Sequence, residues 1–369
     1  MVSSSALFSP IQVGAFKLQH RVVLAPLTRF RADDNHVPTE LQKEYYAQRA
    51  TPGGLLISEA TFISPTSGLY PHAPGIYTQE QIDAWKTVTD AVHAKQGVIF
   101  LQLWNVGRAT SSIFMNGHTP DSASAIPISG TSLFTGKEWE VPHALTVEEI
   151  KGIVNDYAQS AKNAIEAGFD GVEIHSANGY LLDQFINTSS NKRTDEYGGP
   201  IENRCRFTLE VVDAVTKAIG AERVGIRFSP WSEFQDMADD TPYDTWGYLV
   251  SQLQEKHSDM AYLHMIEPRD DFSRKTKNDT VNSLDPFRKI WKGVFISAGG
   301  YTTNPELAKK VAEETGNLVA IGRAFIANPD IVERLRNGWP LTKYNRDTFY
   351  SPGAVGYTDY PFYNASASL

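Results

Sequence analysis

The chain of 369 residues contains one cysteine, Cys205, so it cannot close an intramolecular disulfide. That excludes a small secreted scaffold held by disulfides and fits a reducing compartment. Cysteine and histidine are too sparse and scattered for a four-ligand structural zinc site. No run of about 18 apolar residues exists, so no membrane span is expected. Met1 to Phe8 is too short and polar for the apolar part of a signal peptide, and the expected location is the cytoplasm. Basic charge is in deficit: 34 Lys and Arg face 43 Asp and Glu, a net charge of −9. Such a chain repels a phosphate backbone, so nucleic acid is not expected as a partner. Also missing is a Gly-x-Gly-x-x-Gly turn after the first apolar run, where Pro26-Leu27-Thr28-Arg29 stands instead.

What is present is an alternation. Short β-branched or apolar runs start near Arg21, Gly54, Val98, Gly171, Arg223, Ala261, Val294 and Leu318. Helical segments lie between them. Thr39 with Gln42, Thr78 with Gln81, and Thr146 with Glu149 have the spacing of capping boxes. Gly168 and Gly220 mark stops, and Pro305 to Thr315 and Pro329 to Asn337 read as the last two helices. Continuous apolar strands bounded by helices imply a parallel sheet buried on both faces. Eight such units imply an α/β fold of the (β/α)8 TIM-barrel type, with residues 1–369 forming one domain. An open doubly wound sheet is the alternative, and it would want the missing glycine turn.

Two stretches break the rhythm. Ile11 to Leu18 reads as an N-terminal β-hairpin that plugs the barrel bottom. Asn105 to Ala144, after the third strand, is a long Ser/Thr/Gly/Pro-rich loop expected to cover a site. The aromatic tail from Tyr344 is expected to pack across the barrel.

In this architecture chemistry sits at the C-terminal ends of the strands. Gly299-Gly300 and Gly322-Arg323 follow the seventh and eighth strands, where barrels commonly bind phosphate. Helix-entry turns and a surface ion pair are the alternative there. Arg227 lies inside an apolar strand and needs a partner: either Glu173 or Glu59, or an anionic ligand. His175, Asn178 and Tyr180 form the sharpest cluster. An imidazole and an amide can both donate to one ligand oxygen, and a phenol beside them is protonated at neutral pH and can act as an acid. A structural histidine and a core tyrosine are the plainer readings. No metal site is expected, since His175 and His264 lack a third ligand at standard spacing.

The segment His175-Ser176-Ala177-Asn178-Gly179-Tyr180-Leu181-Leu182-Asp183-Gln184-Phe185 resembles the signature of the old yellow enzyme family. So do Asn191 to Gly199, Ile201 to Arg204, Ala25 to Arg29, Gln102-Leu103-Trp104, Ile321-Gly322-Arg323 and Gly356 to Pro361. The likeness spans nearly the whole chain and is nearest to fungal yeast-type and plant oxophytodienoate reductase-like members. It implies non-covalent FMN, NADPH as reductant, and reduction of the C=C bond of an α,β-unsaturated aldehyde or ketone. Pro26, Leu27 and Thr28 would border the flavin, Thr28 at O4. Ala60 and Gln102 would meet its pyrimidine side, and Arg227 would face N1 and O2, where the reduced flavin is negative. Gly299, Gly300, Gly322 and Arg323 would hold the phosphate. His175 and Asn178 would clamp the substrate oxygen, and Tyr180 would protonate the α-carbon. Trp104, Tyr70, Phe272 and Tyr357 would shape the pocket.

The clamp reads His-x-x-Asn, where some members have a second histidine, and Gln235 stands where many have asparagine. The alternative is a reductase or isomerase dedicated to one fungal secondary metabolite; the presence of Tyr180 favours reduction. A non-flavin barrel acting on a sugar phosphate leaves Thr28, Gln102 and Arg227 unexplained, and a catalytically dead binding protein leaves the His175, Asn178 and Tyr180 set without a purpose. The expected assembly is a monomer or homodimer.

Overall fold

The computed structural model describes residues 5–268 and 281–364. Two short strands open the fold, β1 (Ile11–Val13) and β2 (Phe16–Leu18), paired antiparallel around Gly14. Gly14 has φ +50°, and a Cβ there would collide with the Glu222 carbonyl oxygen, so only glycine allows this approach. The alternation follows in chain order: β3 (Val22–Leu24), α1 (Glu40–Arg49), β4 (Leu55–Phe62), α2 (Gln79–His93) and β5 (Val98–Trp104). Next come the two-residue strands β6 (Asp121–Ser122) and β7 (His143–Ala144), α3 (Val147–Glu166), β8 (Gly171–Ser176), α4 (Leu181–Ile186), α5 (Ile201–Ile219) and β9 (Val224–Phe228). The rest is α6 (Pro242–Lys256), β10 (Tyr262–Ile266), α7 (Asp285–Ile290), β11 (Phe295–Ala298), α8 (Pro305–Thr315), β12 (Leu318–Ile321), α9 (Arg323–Ala327) and α10 (Ile331–Asn337).

Eight parallel strands close into a barrel in the order β10-β11-β12-β3-β4-β5-β8-β9. This is the expected (β/α)8 fold. The helix starts have the foreseen cause. Glu149 N–H donates to the Thr146 hydroxyl at 3.2 Å while Thr146 N–H donates to the Glu149 carboxylate at 2.7 Å. Thr78 and Gln81 repeat this reciprocity, and Gln42 accepts from Thr39 N–H at 2.7 Å.

Strand alternation divides the core. Val172 and Ile174 of β8, Ile226 and Phe228 of β9, and Leu263 and Met265 of β10 pack with the helices. A β-strand turns alternate residues to opposite faces, so Glu173, His175, Arg227, Tyr262 and His264 face the barrel axis. The lower interior is apolar, built from Val23, Leu55, Ile57, Phe100, Ile296 and Leu318. The hairpin closes it as expected: Val13 and Leu18 join this cluster, and Phe16 meets Phe100 edge-on at 6.0 Å.

Three details differ from the sequence reading. Strand β4 runs past Glu59 to Phe62, because a bulge between Ile57 and Ala60 lets pairing resume, with Ala60 opposite Gln102. The Ser58 and Thr61 hydroxyls both donate to the Glu59 carbonyl and hold that bulge. Helix α6 begins four residues early, with Pro242 in its first turn. Finally, α4 and α9 are extra helices, so the alternation is not one helix per strand.

Candidate active site

At the C-terminal ends of the strands lies a cavity of about 380 Å³. Ten of the residues expected at the site border it: Pro26, Leu27, Thr28, Asn178, Tyr180, Arg227, Gly299, Gly300, Gly322 and Arg323. The register explains how distant segments meet here. His175, Arg227 and His264 are neighbours across β8, β9 and β10. One layer below, Gln102, Glu173 and Gly225 are neighbours across β5, β8 and β9, and Gly225 pairs with Tyr262. Gly225 is needed there, since a Cβ would collide with the Tyr262 ring. Gly299 and Gly300, at φ +129° and +77°, take the chain off β11 along the opposite wall. Gly322 caps α9, with Arg323 as its first residue.

Several buried polar atoms at this end lack partners. Arg227 Nε, His175 Nδ1 and Asn178 Oδ1 are buried with no hydrogen bond. Such atoms are costly unless a ligand satisfies them. Of the two carboxylates considered for Arg227, neither is in contact as an ion pair. Glu59 instead accepts from Gln42 at 3.1 Å, and Glu173 accepts from Gln102 and from His264, each at 2.8 Å. Arg227 therefore presents its charge to the cavity, as an anionic ligand edge requires.

The loop after β8 is tightly tied. Asn178 and Gly179 both have positive φ, +58° and +74°. Asn178 N–H donates to the Ser229 hydroxyl at 2.7 Å, Gly179 N–H to the Asp183 carboxylate at 2.8 Å, and Gln235 Nε2 to the Asn178 carbonyl at 3.1 Å. Helix α4 follows at once, wholly buried, so the loop is short and stiff. Tyr180 stands edge-on to Trp104 at 4.9 Å and to His175 at 5.0 Å. Burial, with the nearby charge of Arg227, holds the His175 imidazole well below its ordinary value, so it is neutral. Burial and the neighbouring Tyr350 push the Tyr180 phenol up, so it keeps its proton through the ordinary pH range.

The remaining expected residues stand differently. His175, Ala60 and Gln102 are buried beside or beneath the cavity and do not border it. Trp104 and Tyr70 join an apolar cluster against Tyr180, with Val106, Ala109 and Ile128 of the long loop; that loop packs beside Tyr180, and none of its residues borders the cavity. Phe272 lies outside the described residues. Tyr357 is a correction: expected in the pocket, it is fully buried away from the cavity wall. Its ring stacks on Tyr45 at 4.3 Å, with the Arg29 and Arg31 guanidiniums 5.0 and 4.7 Å from its centre.

Sequence reasoning missed what takes its place. Arg346, Phe349 and Tyr350 of the tail border the cavity. Arg29 and Arg31 hold that tail, donating to the Phe349 carbonyl at 3.0 and 2.8 Å. The paired arginines of Thr28-Arg29-Phe30-Arg31 were the available signal, and they bond to backbone carbonyls, which no residue pattern in the tail reveals.

Comparison with known proteins places this geometry. A profile of the NADH:flavin oxidoreductase / NADH oxidase family matches residues 6–342. The chain is 52% identical to flavin oxidoreductase hxnT of Emericella nidulans, covering 96% of this chain and 97% of that protein. It is 51% identical to 12-oxophytodienoate reductase 1 of Oryza sativa subsp. japonica, covering 96% and 93%. Among solved structures it superposes on morphinone reductase with a TM-score of 0.90 at 44% identity, covering 99% and 98%. A complex of morphinone reductase with tetrahydroNAD matches at 0.89 and 44%, covering 98% of each chain. The closed barrel thus has full-length counterparts, and the chain belongs to the NADH:flavin oxidoreductase / NADH oxidase family, the old yellow enzyme family of flavoproteins.

Proposed function

We propose that this protein is an FMN-dependent ene-reductase that takes electrons from a nicotinamide dinucleotide and reduces the C=C bond of α,β-unsaturated aldehydes and ketones. The observation that carries this reading is the pair of unsatisfied buried nitrogens, Arg227 Nε and His175 Nδ1, gathered beside Asn178 and a protonated Tyr180. The fit to FMN rests on that same Arg227 and on the glycines of the opposite wall. Pro26, Leu27 and Thr28 would border the ring system, with Ala60 and Gln102 behind it, and Gly299, Gly300, Gly322 and Arg323 would hold the phosphate. When bound, FMN supplies the hydride that reaches the substrate β-carbon.

The side chains then do three things. Neutral His175 and the Asn178 amide donate to the substrate carbonyl oxygen, polarise the conjugated alkene and stabilise the enolate that develops. The Tyr180 hydroxyl gives its proton to the α-carbon and recovers one from solvent. The apolar cluster of Trp104, Tyr70 and the long loop packs against Tyr180 and shields that side of the phenol from water. NADPH is the reductant implied by the sequence likeness. The neighbour solved with tetrahydroNAD makes a parallel titration with NADH the natural control.

The test is spectroscopic. The purified protein, loaded with FMN if needed, is expected to be yellow, to bleach anaerobically with NADPH and to regain colour with 2-cyclohexenone. A protein that takes up no FMN overturns the reading. A protein that bleaches with NADPH and is not reoxidised by the enone keeps the cofactor and overturns the substrate class.

A further inference from the structure

Glu173 is among the buried ionisable groups of the barrel that the mechanism above leaves unused. Glu173 is fully buried on β8 and faces the axis beneath the site. Its two oxygens are each taken, Oε1 by Gln102 Nε2 and Oε2 by His264 Nδ1, both at 2.8 Å. Glu173 and His264 are both fully buried off the cavity wall, and the mechanism above gives neither a contact with substrate. A carboxylate in such a place is expensive and stays only where donors and a positive charge compensate it. Burial opposes its ionisation, yet His264, Arg227 and Gln102 outweigh that and hold the carboxyl below its ordinary range. Burial likewise lowers His264, which is thus a neutral ring donating its Nδ1–H. The net buried charge is then one carboxylate set a layer below one guanidinium. Among the described residues Arg227 makes no ion pair closer than that, and its Nε has no hydrogen-bond partner there.

We infer that Glu173, locked by Gln102 and His264, is a positioning residue that offsets the Arg227 charge and thereby sets how readily the bound flavin accepts electrons. The inference rests on the FMN reading above. With Arg227 facing the cofactor edge that becomes negative on reduction, its full charge would favour the reduced form. Glu173 subtracts from that field, since in the low-dielectric barrel a charge one layer away still acts strongly. The reduced cofactor is then held less tightly and remains a willing donor to an alkene. The same carboxylate fixes the Gln102 amide, which otherwise could rotate. An apolar residue at position 173 would spare the desolvation cost but forfeit both effects.

The experiment measures the midpoint potential and visible spectrum of the FMN-loaded protein, comparing wild type with Glu173→Gln and His264→Leu. Glutamine keeps the shape, and His264 can switch tautomer to accept from the new amide. Glu173→Gln is expected to retain FMN and to shift the two-electron equilibrium at least about tenfold toward the reduced form, about 30 mV more positive. His264→Leu removes one donor from the carboxylate, makes its protonation easier and is expected to shift the potential the same way by less. Both potentials unchanged, or shifted negative, overturn the inference while leaving the FMN reading intact. If Glu173→Gln does not fold, an unchanged potential in His264→Leu alone overturns it. Wild-type protein that binds no FMN overturns both.

Discussion

The two ends of the barrel are built by opposite rules. At the bottom, the β1–β2 hairpin seals an interior of Val13, Leu18, Leu55, Phe100 and Leu318. That end is apolar and closely packed, and its plug is a single local hairpin. At the top, β8, β9 and β10 carry His175, Arg227 and His264 in one row, and buried polar atoms lack partners. That end draws on loops, the Arg29–Arg31 clasp and the tail, hundreds of residues apart. The difference teaches where stability and chemistry are held. Burial of apolar surface stabilises the fold below, and the unsatisfied polar groups above are tolerated because the base is rigid. Changes at the top should therefore cost rate, and changes at the bottom should cost stability.

The largest effect is expected at the top. Tyr180→Phe removes the proposed proton donor and leaves the ring, so the fold and flavin reduction should persist. Positioned acids contribute about 10²–10⁴ in rate, and alkene reduction should slow by that order. Stopped-flow measurement of the two half-reactions checks it, and unchanged enone turnover would break the division at its most important point. Next is the counterpart at the bottom. Leu18→Ala empties part of the plug and should cost about 2–5 kcal/mol in denaturant unfolding. The flavin spectrum and the rates of folded protein should stay as in wild type; a drop in rate would show that the ends are coupled.

A smaller effect tests the clasp between them. The Arg31 guanidinium donates to the carbonyls of Arg29, Phe349 and Thr348 at 2.6 to 3.0 Å. Arg31→Ala leaves the Arg29 carbonyl unpaired and takes one donor each from Phe349 and Thr348, which Arg29 and Ser351 still serve, a loss of about 1–3 kcal/mol. Because the freed strap carries Phe349 and Tyr350 on the cavity wall, KM for a bulky enone should rise more than kcat falls. A pure stability loss with both constants unchanged would make the clasp a brace for the fold alone.

How much of this was legible in the sequence follows the same division. The eight barrel strands stand within a few residues of where the apolar runs put them, because a strand buried on both faces must be continuously apolar outside its functional positions. Helices α5 and α8 match at both ends, since Gly220 and Pro305 punctuate them locally. The plug was legible for the same reason. The top was legible only where a local motif carried it, as in His175 to Phe185. Helices α4 and α9 escaped because every α4 residue and nearly every α9 residue is buried, which erases the 3.6-residue contrast. The β4 bulge depends on Ser58 and Thr61 folding back on one carbonyl. Tyr357 was misplaced because its aromatic motif marks a packing site for Arg29 and Arg31, and the cavity wall is formed seven residues earlier at Tyr350. Tertiary bonds from arginine to backbone leave no trace in the spacing of the residues they hold.

The last and smallest effect concerns pH, where the two ends should pull in opposite directions. At the bottom, burial and Arg336 lower His20 from 6.5 to about 4. The unfolded chain protonates this group first as pH falls, so its contribution is full above about 6.5 and is lost toward 4. At the top, burial raises Asp183, which braces the Asn178 loop, from 3.8 to about 7. Here the folded state keeps the proton that the unfolded chain releases, so this contribution is full below about 3.8 and is lost as pH rises to 7. Asp183→Asn removes the second dependence and leaves the first. Its Tm relative to wild type should therefore climb between pH 4 and 7 and level off above, while His20→Gln should show the reverse slope relative to wild type. Because the two slopes oppose each other, the wild-type curve should be flatter than that of either variant, and parallel curves for all three would place the pH response elsewhere in the molecule.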